Sequence, residues 1–134
     1  MAQVAFVETL LGDIVSRTQE FKAKGWRFVQ CCASRAGEAT FELVYSFIDD
    51  TTAEVANLRT LISANDEVPS VGAVYPGAFM FENEMHDLYG ITVTNMNLDY
   101  RGGFYHLHIP APMAQAPEAK AKPAPAAKPA QTKE

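Results

Sequence analysis

The sequence predicts an α+β domain: an N-terminal helix packed on a small, mainly antiparallel sheet of three to four strands, then a short second helix and an extended C-terminal segment. Three observations predict it. Apolar residues recur at helical spacing near the start, two strand-like runs flank a glycine-bearing turn, and a proline-opened, glycine-closed helical run follows them. The chain has 134 residues. That suits one domain, since domains cluster at roughly 100–200 residues.

Val7, Leu10, Leu11, Ile14, Thr18 and Phe21 share a helical face, with Glu8, Asp13, Arg17 and Glu20 turned mostly elsewhere, so residues 3–24 read as an amphipathic helix. Lys22 and Lys24 complement the partial negative charge of its last turn, and Gly25 suits the left-handed cap. WRFVQCCA and FELVYSFI then read as an antiparallel hairpin about SRAGEAT, where Gly37 suits the turn. In the second run Phe41, Leu43, Tyr45 and Phe47 share one face, which predicts a strand with one strongly buried side.

TTAEVANLRTLISAND supports two readings. Thr51 with Glu54 is a capping-box pattern and Val55, Leu58 and Ile62 have helical spacing, whereas alternation of Ala56, Leu58, Thr60 and Ile62 makes a strand. The local signals favour the helix. Pro69 and Pro76 bracket a short turn, SVGAVY. GAFMFENEMHDLY is then helical, with Phe81, Met85, Leu88 and Tyr89 as its buried stripe and Gly90 as its stop. ITVTNMN suits a short strand, RGG a turn, and FYHLHIP an extended piece halted by Pro110. The folded domain is placed at 1–110. Residues 111–134 hold nine alanines and five prolines with no large aliphatic or aromatic side chain beyond Met113, and read as a disordered Ala/Pro/Lys-rich tail.

The tail carries four lysines against two glutamates, which leaves seven basic groups against fourteen acidic ones in residues 1–110. An acidic body with scattered arginines argues against nucleic acid, whose phosphates call for clustered cations. The N-terminus lacks the basic start and unbroken apolar run of an export signal, and no apolar run approaches the ~18 residues of a membrane span. Cys31 and Cys32 are adjacent, which suits reduced thiols and fails every spaced ligand pattern for zinc or iron–sulfur clusters.

FENEMHDLYGI, residues 81–91, is the densest run of reactive side chains. On a helix Glu84 and Asp87 lie roughly 60° apart while Glu82 points well away from Asp87, so the three do not converge. Taken alone the run reads as a solvated acidic face, with Glu82 and His86 forming one helix-supporting pair. His106 and His108, two apart on a strand, share a side and are metal-ligand candidates if His86 or Asp99 joins them. No phosphate loop or nucleophile elbow is present, so the chain is not expected to be catalytic alone.

PSVGAVYPGAFMFENEMHDLYGI resembles the signature of the small hydrophilic C subunit, of the 30-kDa type, of respiratory NADH:quinone oxidoreductase, complex I. Pro69, Ser70, Ala78, Glu82, Glu84, Asp87, Tyr89, Gly90 and Ile91 match in type and spacing. The arginine between the two glutamates is here Asn83, and the basic histidine-proline-aspartate run that follows in the family is here NMNLDYRGG, with only Leu98 and Arg101 retained. A short chain with that divergent segment looks more like the homologous subunit of membrane-bound energy-converting NiFe hydrogenases. The resemblance implies a helix on a small mixed sheet, and so a strand over ANLRTLIS. It also implies an accessory role without a cofactor in this chain, the NiFe centre and iron–sulfur clusters lying in partner subunits. Those partners would be a large hydrogenase-like subunit and an iron–sulfur small subunit, at the cytoplasmic side of the membrane. Glu82, Glu84, Asp87, Tyr89, Gly90 and Arg101 are then expected at a partner interface or at a structural corner of the fold.

Overall fold

The computed structural model describes residues 4–105 and 109–114. Strand β1 (Val4–Glu8) leads through a 3-10 turn at Leu11–Asp13 into helix α1 (Ile14–Ala23). Strands β2 (Arg27–Gly37), β3 (Thr40–Asp49) and β4 (Glu54–Ser63) follow, then a short strand β5 (Glu67–Pro69), helix α2 (Phe79–Tyr89) and strand β6 (Thr92–Thr94). The main sheet has the order β1-β4-β3-β2, and β5 and β6 form a separate pair. β2–β3 and β3–β4 are antiparallel, β1 lies parallel to β4, and β5 lies parallel to β6.

The expected hairpin is present, turning at Glu38 and Ala39, with Ala39 at φ 55°. Residues 54–63 form a strand, as the resemblance implied and the capping box did not. Pairing of Phe41 to Ile62 and Leu43 to Thr60 puts the alternating apolar set of β4 on the same face as that of β3. Burying this face outweighs one local cap, which is worth only about 1 kcal/mol.

The first helix is shorter than its spacing predicts. Residues 4–13 are a strand and a 3-10 turn, and the α-helix begins at Ile14. Val4 to Val7 pair in register with Val55 to Leu58, so the segment finds its backbone partners in β4 rather than in a helical turn. Thr9 continues this by donating its N–H to Arg59 O at 2.8 Å. The residues from Ile14 onward follow the predicted face: Ile14 and Thr18 are fully buried, and the Phe21 ring stacks on Phe47 with centroids 4.6 Å apart.

Both helices cover the same side of the main sheet. Its core is Leu43, Tyr45, Phe47 and Leu58, each at 0 % exposure, closed by Phe21, Phe28 and Tyr75 around Phe47. The opposite face carries Phe6, Val44, Arg59 and Leu61 and, among the described residues, no helix. There Arg59 is flanked by Glu8 and Glu42 at 2.8 and 3.3 Å. Cys31 and Cys32 occupy successive strand positions and therefore opposite faces, the first buried and the second exposed, both free thiols. The first residues of the Ala/Pro/Lys-rich segment belong to the body. Met113 donates its N–H to Leu88 O, and Arg35 Nε donates to Ala114 O at 3.1 Å. Residues 115–134 lie outside the described residues.

This one-sided layering predicts that Phe47→Ala costs about 3–5 kcal/mol in urea titrations. Leu61→Ala, on the uncovered face, is expected to cost no more than about 0.5 kcal/mol.

Candidate functional site: the polar face of the second helix

Pro76 opens the turn before α2, where its missing N–H is not needed, and Gly90 closes the helix at φ 74°, its N–H bonded to His86 O at 2.8 Å. The apolar stripe docks on β2 and β3. Met85 is buried with its sulfur 3.6 Å from Cys31 Sγ, Phe81 meets Phe28 edge-on, and Tyr89 meets Phe41 edge-on.

The other buried residues of this helix are polar. Glu82, Asn83 and Asp87 are 0 %, 1 % and 4 % exposed. Buried polar groups are costly unless bonded, and each of these is bonded to a different segment of the chain. The Glu82 carboxylate accepts from Ser70 Oγ at 2.6 Å and from the Val71 N–H at 2.7 Å. Ser70 Oγ in turn accepts from the Gly72 N–H at 2.9 Å. Asn83 donates through Nδ2 to Phe79 O and Leu98 O, both at 2.8 Å, and its Oδ1 accepts from the Tyr100 N–H at 3.0 Å. Asp87 accepts from the Tyr105 N–H at 2.9 Å through one oxygen and lies 2.9 Å from His86 Nδ1 through the other.

The acidic run is therefore not a solvated face. The loops at 69–75 and 95–105 fold over the helix side that spacing alone leaves to solvent. Nor does Glu82 pair with His86, because its carboxylate turns the opposite way, into the loop before the helix, while His86 meets its neighbour Asp87. Glu84 stays half-buried and accepts from the Tyr105 hydroxyl at 3.2 Å. Tyr89 is half-buried. Arg101 stands exposed in a turn at φ 54°, its N–H bonded to Asp99 Oδ1 at 2.8 Å.

Burial pushes the Glu82 carboxyl above the usual carboxylate range, against the opposing pull of its bonds to Ser70 and Val71. Desolvation also raises the Cys31 thiol and the Tyr45 phenol well above their usual values, with Glu82 adding to both. The Tyr45 hydroxyl has no hydrogen-bond partner among the described residues. Raised in this way, the thiol and the phenol stay in their neutral forms at neutral pH. For the histidine-based metal reading, His106 and His108 lie outside the described residues. Among the described residues no three His, Cys, Asp or Glu side chains converge on a metal position, and His86 has Asp87 as its neighbour.

Asn83 is the residue that spacing missed. Its signal was the pair of departures already visible in the sequence, an asparagine for arginine at 83 and a divergent run at 95–103. The two meet in the structure. The carboxamide both donates to and accepts from the backbone of 98–100, and a guanidinium, donor only, cannot accept from the Tyr100 N–H.

An α+β domain with a rigid, internally bonded acidic helix is the class this geometry defines. Residues 9–113 match the family described as respiratory-chain NADH dehydrogenase, 30 Kd subunit, and the chain belongs to that family. Among curated relatives, it is 44 % identical over 61 residues to the C subunit of NADH-quinone oxidoreductase from Azorhizobium caulinodans, covering 44 % of this chain and 28 % of that one. It is 37 % identical over 54 residues to the corresponding C subunit from Sinorhizobium medicae, covering 40 % and 27 %. The chain thus matches little more than a quarter of the length of these relatives. A chain from the structure of the membrane-bound sulfane sulfur reductase, an archaeal respiratory membrane complex, shares the fold with a TM-score of 0.67 at 21 % identity, over 74 % of this chain and 61 % of that one. Among the described residues no helix is long and apolar enough to cross a membrane.

Two outcomes follow from the buried acid and amide. A carboxyl raised in the folded state favours its protonated form, so its contribution is full below the ordinary carboxylate range and is lost as pH rises through the raised value. Glu82→Gln is therefore expected to become less costly from about pH 4 to about pH 7 in urea titrations of both proteins. Asn83→Ala leaves the Leu98 carbonyl and Tyr100 N–H unpaired and is expected to cost about 1–3 kcal/mol, with faster hydrogen exchange at Tyr100.

Proposed function

We propose that this chain is a non-catalytic accessory subunit of a membrane-bound respiratory complex, holding no cofactor of its own and docking on large and small electron-transfer subunits at the cytoplasmic side. The observation that carries the reading is the family match across residues 9–113. The geometry is in keeping with it. Glu82, Asn83 and Asp87 spend their hydrogen bonds on the chain's own loops, which leaves none of them poised as acid or base for a substrate.

On this reading Glu82 and Asp87 are corner residues and Glu84 and Arg101 are the partner-facing ones, with Tyr89 and Gly90 shaping the end of the helix between them. A partner's Lys or Arg paired with Glu84 in a desolvated contact would fix the register of docking. We favour an energy-converting NiFe hydrogenase as the host complex, on the divergent 95–103 run. The alternative host is a quinone-reducing complex of the NADH dehydrogenase type.

Purification of the tagged chain from detergent-solubilised membranes tests both levels. A co-purifying nickel-containing large subunit supports the hydrogenase host, and flavin- and NADH-binding subunits support the alternative. Recovery of the chain alone, turning over a substrate, defeats the accessory role. Glu84→Ala is expected to leave the melting temperature within about 2 °C while reducing partner recovery, whereas Asp87→Ala lowers both.

A further inference from the structure

The two edges of the main sheet are built differently. β2 is blunted by irregularities at Phe28/Gln30 and Arg35/Gly37, and the Arg35 guanidinium reaches across to Ala114 O and Gly37 O. Such bulges and charges are what native proteins use to keep an edge from pairing. β1 has no bulge, and its one charged residue is the terminal Glu8. Its residues 4–7 read VAFV, without charge, proline or bulge, and among the described residues no strand pairs on its outer side.

The backbone of β1 shows which groups are free. Thr9 donates its N–H to Arg59 O, and Ala5 O accepts from Asn57 Nδ2, so the odd-numbered residues face β4. Alternation then turns the N–H and C=O groups of Val4, Phe6 and Glu8 away from the sheet. The side chains beside them are apolar and open: Val4 is 61 % and Phe6 57 % exposed, and Leu61, on the same face of β4, is 63 % exposed. The Arg59 guanidinium lies over the Phe6 ring, 5.0 Å from its centroid.

We propose that the outer edge of β1 accepts a fifth strand from another polypeptide, hydrogen-bonded to Val4, Phe6 and Glu8 and apolar on the face it shares with Phe6 and Leu61. A row of unpaired backbone donors and acceptors selects an extended segment rather than a helix or a small molecule. Charge decides against a second copy of this chain. Residues 1–110 carry fourteen acidic groups against seven basic ones, and Glu8 and Glu42 leave an excess acid around Arg59, so a basic polypeptide is the complementary partner. The inference rests on the accessory-subunit reading, which supplies such a polypeptide.

Hydrogen exchange of the full chain, isolated and within the complex purified from membranes, tests it. The Phe6 and Glu8 amides are expected to exchange freely in the isolated chain and at least about tenfold more slowly in the complex. Phe6→Pro, which removes an outward donor without touching the bonds to β4, is expected to abolish that protection at Glu8 and reduce partner recovery. Phe6→Thr, which keeps the donor, retains most of both. Partners recovered with unchanged exchange at Phe6 and Glu8 overturn the added strand alone. Protection in the isolated chain together with a dimer by light scattering assigns the edge to a second copy and also overturns it. A chain recovered without any partner overturns the functional reading and the added strand together.

Discussion

Glu82 carries a carboxyl group on a helix with none of its surface in water, and the loop before that helix is folded around it. Leaving such a group unbonded costs several kcal/mol, so the positions of Ser70 and Val71 follow from it. Ser70 then orients the Gly72 N–H, and the backbone at Gly72 runs so close to Asn97 that a Cβ there would stand 2.2 Å from its Oδ1. One buried acid thus helps hold the 69–75 loop against the 95–100 loop, alongside the β5–β6 pair that precedes both. Asn83, on the next residue of the helix, holds that second loop by its backbone.

The same arrangement bears on function. In a hydrolase or a proton-transfer enzyme, acids packed into eleven residues would face one cavity. Here Glu82 turns into the loop before the helix while Glu84 and Asp87 both meet Tyr105 in the loop after it, and the helix serves as a post to which the second half of the chain is tied. What this leaves toward solvent is a half-buried Glu84 and, in the turn beyond, an exposed Arg101.

Much of the fold was legible in the sequence. The β2–β3 hairpin and α2 were, because Phe41, Leu43, Tyr45 and Phe47 alternate strictly and Phe81, Met85 and Tyr89 keep helical spacing between Pro76 and Gly90. Residues 4–13 were not. Val7, Leu10, Leu11 and Ile14 satisfy a helical template, and the parallel partner that makes Val4–Glu8 a strand lies about fifty residues downstream, beyond any local window. β4 shows the same limit from the other side, since a local cap at Thr51 and Glu54 competed with long-range pairing and lost. At the site, spacing read the acids as a solvated face and misjudged their direction. The side of α2 that loops will cover depends on hydrogen bonds to backbone at 71, 98, 100 and 105, and backbone groups leave no trace in residue identity.

The bond from Met113 to Leu88 and the one from Arg35 to Ala114 carry a practical consequence. Composition invites a cut at Pro110, where the alanine- and proline-rich stretch begins. A chain trimmed there would strip the last turn of α2 of a backbone partner and leave a guanidinium without its carbonyl, at the end of the helix next to Gly90. Shortened versions for crystallisation, or fusions placed at the C-terminus, are better joined after Ala114.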